Sequence, residues 1–138
     1  MKTNIVIDTN VIVSAIKSRN GASFKLMEFL GNTEEFQIAV TVPLFFEYEY
    51  ALVKVGINRS KIDDYLGWIC LSSKKQKVNF LWRPFLKDVK DDCVLEAALN
   101  CSSKFIISYN KNDFNNVNQL GIVVIDPKEF LKQIGVIK

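Results

Sequence analysis

Asn4-Ile5-Val6-Ile7-Asp8-Thr9-Asn10-Val11-Ile12-Val13 is the stretch on which the fold turns. Residues 4–7 are short, β-branched and apolar throughout, the pattern of a strand buried on both faces. Asp8-Thr9-Asn10 interrupts the run, and Val11 to Ile16 reads as a helix. A buried strand that ends on an acid and passes at once into a helix is the opening step of a parallel α/β sheet.

The rest of the chain repeats that step. Ala22 to Leu30 reads as a helix, with Phe24, Leu26, Met27 and Leu30 on one face. Phe36 to Val42 is a second strand. Leu44 to Val55 is a helix with Pro43 suited to its first turn and Gly56 to its stop. Another helix runs from Asn58-Arg59-Ser60 to about Leu71. Ser72 to Lys77 reads as a basic loop and Val78 to Leu81 as a short strand. Asp88 to Cys101 is a helix, Phe105 to Ser108 a third clear strand, Tyr109 to Asn118 a polar turn-rich segment, Ile122 to Ile125 a last strand, and Pro127 to Ile134 a terminal helix. The expectation is a three-layer α/β/α fold with a central parallel sheet, residues 1–138 forming one domain.

Composition narrows the chemistry. The chain has 138 residues, of which 49% are hydrophobic and 24% charged, as in a soluble globular protein. No run approaches the roughly 18 apolar residues that span a bilayer. The opening apolar run is too short for a signal peptide, so a cytoplasmic protein with no membrane partner is expected. Cys70, Cys93 and Cys101 are odd in number and widely spaced, and read as buried free thiols. Histidine is absent, which excludes a Ser-His-Asp or Cys-His site and His-ligated zinc. The net charge of +3 permits a phosphate-backbone partner without demanding one.

Hydrolysis in such a chain must rest on carboxylates, lysine, hydroxyls or a metal held by oxygen. Functional crevices of parallel sheets lie beyond the C-terminal ends of the strands. Asp8 follows the first strand, Asn110 and Asp113 follow Phe105–Ser108, Glu47 and Glu49 open the helix after the second strand, and Asp88, Asp91 and Asp92 start the helix before the third. Gathered carboxylates repel one another, and a divalent cation relieves that repulsion. Oxygen ligands suit Mg²⁺ or Mn²⁺. Taken singly, each acid also has an ordinary explanation as a cap, a turn residue or solvated surface. Glu47 and Glu49 do not share a helix face, so at least one is read as surface.

Five segments in order resemble the PIN-domain family, including the VapC-type toxins of toxin–antitoxin pairs. They are Val6-Ile7-Asp8-Thr9-Asn10-Val11-Ile12-Val13-Ser14-Ala15, Pro43 to Leu52 with Glu47-Tyr48, Asp91-Asp92-Cys93-Val94-Leu95-Glu96-Ala97-Ala98, Ile106 to Phe114, and Asp126 to Leu131. The resemblance implies a Mg²⁺- or Mn²⁺-dependent ribonuclease, usually a homodimer held inactive by an antitoxin. It implies that Asp8, Glu47 and Asp92 are catalytic metal ligands, Asp92 being chosen because it lies 18 residues before Asn110. Asn110 stands where many members carry Asp, and Asp113 is the candidate to supply the missing carboxylate as ligand and catalytic acid. Thr9, Asn10, Asp91 and Ser108 are supporting candidates. Lys17, Arg19, Lys90 and Lys111 are RNA-backbone candidates by nearness in sequence to the motifs. The helix from Ile62 to Leu71 is a candidate dimer surface, and Phe45, Phe46, Tyr48, Tyr50, Trp68 and Trp82 are candidates for a partner interface, most of them being read more simply as core. Two rivals stand beside this reading: another acid-based phosphohydrolase, which usually wants DxD or adjacent acids near the first strand, and a PIN-like module that binds RNA or a partner without cutting.

Overall fold

A computed structural model describes residues 3–30, 33, 35–72, 74–75, 89–114 and 117–135, with the backbone alone for 74–75 and 89–92. The chain runs β1 (Thr3–Ile7), α1 (Thr9–Lys17), α2 (Ala22–Phe29), β2 (Phe36–Val40), α3 (Val42–Lys54), α4 (Arg59–Ser72), β3 (Lys74–Lys75), α5 (Val89–Asn100), β4 (Phe105–Ile107), two 3-10 turns (Lys111–Phe114 and Val117–Leu120), β5 (Val123–Ile125) and α6 (Pro127–Gln133). The strands pair in parallel in the order β3-β2-β1-β4-β5. Ile5, Val6 and Ile7 are all fully buried. Successive side chains of a strand face opposite ways, so β1 is covered on both faces, as the unbroken apolar run requires.

One expected strand is displaced. The third strand is Lys74–Lys75, inside the segment read as a loop, and pairs with Ala39 and Val40 of β2. Two lysines carry no apolar strand signal, because an edge strand is held by backbone hydrogen bonds and needs no buried side chains. The expected strand at Val78 to Leu81 lies outside the described residues.

Each strand-to-helix step is closed by a side-chain cap. Asp8 caps α1 by accepting from Thr9 N; Thr41 caps α3, accepting from Leu44 N at 3.4 Å; Asp126 caps α6, accepting from Glu129 N at 2.8 Å. Thr41 lets α3 begin at Val42, two residues before the expected start, with Pro43 in the first turn. The helix stops before Gly56, whose φ of 83° suits glycine.

Helices α1 and α2 pack together, with α6 on α2; α3 packs on α4 and α5, and α5 lies against β1, β2 and β4. Phe130 of α6 sits edge-on between Phe36 and Phe105, at 5.4 and 5.6 Å between ring centroids, and locks the starts of β2 and β4. On α4, Ile62, Leu66 and Ile69 are buried. The apolar face of the expected dimer helix is therefore turned inward, leaving Trp68 and Leu71 exposed. No described helix is long and apolar enough to cross a membrane.

Candidate metal centre

The sheet order changes direction at β1: β2 and β3 extend from one side of it, β4 and β5 from the other. The crevice of such a sheet opens beyond the C-terminal ends of the strands at that switch point. The residues there are Asp8 after β1 and Ser108 after β4, brought together by the register Ile7↔Ile107.

Asp8 is buried, at 4% exposure. Its Oδ1 accepts from Thr9 N at 2.7 Å and Thr9 Oγ1 at 3.4 Å, and its Oδ2 from Ser108 Oγ at 2.6 Å and Asn10 Nδ2 at 3.3 Å. The Ser108 hydroxyl in turn accepts from Asn10 Nδ2 at 3.3 Å and from Asn110 N at 3.0 Å, and Asn10 Oδ1 accepts from Tyr109 N at 3.4 Å. Burial nonetheless pushes the Asp8 carboxyl above its ordinary pKa, against the lowering effect of the Ser108 and Thr9 donors, and the charge of Asp113 adds to the rise. The rise is chiefly the cost of burying the charged carboxylate, a perturbation of the kind that marks a candidate functional site.

Beneath it, Tyr48 is wholly buried and its hydroxyl donates to the Ile7 carbonyl. Burial and then the Asp8 charge raise its pKa well above the usual phenol value, keeping it a neutral donor. On the far side, Tyr109 hydrogen-bonds Ser23 of α2 through its hydroxyl, and the buried ring of Phe114 anchors the 3-10 turn that carries Asp113.

Glu47 is half-buried on α3 and lines a groove of about 460 Å³ together with Thr9 and Asn10. Glu49 points elsewhere: Arg59 binds it at 2.6 Å and Asp63 at 2.9 Å. Asn110 and Asp113 are exposed and border a crevice of about 570 Å³ formed by residues 109–113. Asp91 and Asp92 lie in the first turn of α5, with their side chains outside the described residues, as is that of Lys90; Asp88 lies outside altogether. Lys17, the last residue of α1, and Arg19 just beyond the helix are exposed. Lys111 is tied to Glu129 at 2.5 Å, an exposed pair that draws its ammonium toward α6.

Among the described side chains, no three of His, Cys, Asp or Glu come close enough together to hold a metal ion. The charge of Asp113 reaches Asp8, and carboxylate oxygens are the hard donors that Mg²⁺ and Mn²⁺ prefer. The donor chemistry fits such an ion. Two of the four hydrogen bonds that Asp8 accepts, from Thr9 Oγ1 at 3.4 Å and Asn10 Nδ2 at 3.3 Å, are the long ones. Sequence reading named Tyr48 only as a motif partner and an interface aromatic, whereas it is wholly buried, and it passed over Glu96 as an individual; Trp82, another of those aromatics, lies outside the described residues. Glu96 is wholly buried on α5, one turn beyond position 92. Its signal was an acid inside an otherwise apolar helical run.

The sequence profile of a family described as PIN domain matches residues 4–112. The crystal structure of VapBC2 from Rickettsia felis, bound to a DNA fragment from their promoter, contains a similar chain: 13% identity, TM-score 0.58, covering 88% of this chain and 97% of that one. At that identity the likeness is one of fold. Comparison with curated proteins gives no significant match.

Proposed function

The chain belongs to the PIN-domain family, and from that premise we propose that it is a Mg²⁺- or Mn²⁺-dependent endoribonuclease acting as the toxin of a toxin–antitoxin pair. The observation that carries the reading is Asp8: a buried carboxylate at the switch point of the sheet, held by four donors and still raised in pKa.

In this reading Asp8, Glu47 and Asp92 hold the ion, with Asn110 or Asp113 completing the set. The bound ion supplies Lewis acidity toward a phosphoryl oxygen and eases deprotonation of water at neutral pH. The chain's own groups do the positioning. Ser108 and Thr9 fix the Asp8 carboxylate from both sides, and Asn10 ties the ends of β1 and β4 together. Tyr48 holds the last β1 carbonyl beneath the site. Lys17, Arg19 and Lys90 are the proposed contacts to RNA phosphates, with Lys111 released from Glu129 as a fourth.

Exposed apolar side chains support a protein partner. Val42, Phe46, Tyr50 and Val53 form a stripe along α3, and Trp68 and Leu71 are exposed on α4. A homodimer and a cognate antitoxin are the partners proposed for them; an antitoxin accords with the VapBC2 likeness. The test is cleavage of single-stranded and structured RNA by the purified chain with Mn²⁺. Native protein is expected to cut and Asp8→Asn to be inert. Equal activity in the variant sinks the assignment. Asn110, an amide where a carboxylate would bind metal more strongly, favours one second reading, a weakly catalytic or inactive RNA-binding module. RNA binding retained with no Mn²⁺ uptake by calorimetry would select it.

A further inference from the structure

We propose that Tyr109 is a positioning residue for the candidate metal centre: its hydroxyl, bonded to the buried Ser23 of α2, holds in place the segment that carries Asn110 and Asp113. The proposal rests on the metal-dependent nuclease reading and assigns to that site a support from the helix layer. Ser23 is wholly buried. It shares the buried face of α2 with Leu26 and Met27, three and four residues on. A hydroxyl buried in an apolar stripe is kept where it has a hydrogen-bond partner. Here the Ser23 and Tyr109 hydroxyls bond each other across 86 residues of chain.

The segment needs such a support. Residues 110–113 are all exposed, so no burial of their own fixes them. Backbone bonds tie the first residues to the sheet: Tyr109 N donates to Asn10 Oδ1 at 3.4 Å and Asn110 N to Ser108 Oγ at 3.0 Å. Asp113 N donates to the Asn110 carbonyl at 3.0 Å, so the two candidate ligands share one turn. The buried Phe114 anchors the far end. Lys111 is tied to Glu129 of α6, but that pair is exposed and such pairs hold little. Tyr109 adds a tie on the helix side, to α2, which is itself packed on α1 and α6. Its side chain turns about only two bonds, so a hydrogen bond at its tip confines the backbone at 109 at little entropic cost. The ring is 46% exposed and borders the crevice of residues 109–113. Core burial does not explain its placement; the hydroxyl bond does.

The experiment uses the full chain. Tyr109→Phe and Ser23→Ala each delete the bond with little change in packing, and the double variant completes a cycle. Each single variant is expected to weaken Mn²⁺ binding in calorimetry about fivefold, the worth of one neutral hydrogen bond. The double variant is expected to go no further, since the same bond is already gone. In metal-free protein, NMR hydrogen exchange at the Tyr109, Asn110 and Asp113 amides is expected to quicken while β1 and α5 keep native protection. Urea unfolding reads global stability separately. Lower stability with native Mn²⁺ affinity and native exchange at 109–113 makes the bond purely structural and overturns the proposal. Effects that add in the double variant overturn it too, because the two hydroxyls then act apart. Weaker RNA binding by Tyr109→Phe in chelator, with Mn²⁺ affinity native, gives the hydroxyl to the RNA and likewise overturns it. In each of these cases native protein that binds Mn²⁺ and cuts RNA leaves the nuclease reading standing. Native protein that binds neither Mn²⁺ nor Mg²⁺ overturns both readings.

Discussion

Ser108→Ala isolates the group that links the two halves of the sheet at the candidate site. The hydroxyl donates to the buried Asp8 Oδ2 at 2.6 Å and accepts from Asn10 and from Asn110 N. Alanine fills nearly the same volume, so the cost is electrostatic. One hydrogen bond to a buried carboxylate stabilises by about 1.5–3 kcal/mol. The two groups donating to Ser108 are only partly buried and can turn to water. A loss of about 2 kcal/mol is expected at neutral pH, which lowers the urea midpoint by about 1 M and Tm by about 8 °C for a chain of this size. The pH dependence separates this cause from a packing defect. The folded-state pKa of Asp8 lies above its ordinary value of 3.8. Its contribution to stability is therefore fully present below that ordinary value and is lost as pH rises through the folded-state pKa. Removing the Ser108 donor, which lowers that pKa, raises it further, so the variant loses more than the native chain on the same rise. Urea unfolding in chelator, from neutral pH down to the ordinary aspartate range, should show the gap between the two proteins shrinking on acidification. A gap absent at neutral pH, or constant with pH, would refute the reasoning.

Other substitutions probe the surroundings. Glu47→Gln should cut Mn²⁺-dependent RNA cleavage by more than about 100-fold, whereas Glu49→Gln, whose carboxylate faces Arg59, should leave it near native; parallel kinetic assays decide. Asn110→Asp adds a carboxylate at the exposed lip and should tighten Mn²⁺ binding by roughly tenfold; calorimetry showing no change would remove position 110 from the ligand set. Tyr48→Phe deletes the donor to the Ile7 carbonyl and should cost about 1–1.5 kcal/mol, visible as a Tm about 5 °C lower.

The site was unevenly legible in the sequence. Asp8 at a strand end and Asp126 before α6 are local patterns from which strand-to-helix steps could be read, whereas Thr41 reads as part of the second strand and its cap on α3 emerged only from the structure. The two acids of α3 were harder to separate. Spacing put Glu47 and Glu49 on different faces, but only the packing of α4 brings Arg59 onto Glu49 and leaves Glu47 in the groove with Thr9 and Asn10. Lys111 stood beside a motif and so looked available for RNA, yet Glu129, 18 residues later, pairs with it. Lys74–Lys75 was missed because an edge strand is made by backbone pairing with Val40 and its neighbour, not by the apolar period that marks buried strands.

By itself, the sequence determined the architecture and the permitted chemistry. Unbroken apolar strands bury both faces and require covering helices, and a chain without histidine must work through oxygen donors. Tertiary structure alone decided the strand order β3-β2-β1-β4-β5, which sets Ser108 at hydrogen-bond distance from Asp8 across 100 residues of chain. It also decided that Asp8 is raised in pKa by burial with Asp113 nearby. The physical reason is range. Propensity, capping and periodicity act over a few residues, while burial and charge coupling depend on neighbours that crossover connections supply from the far end of the chain.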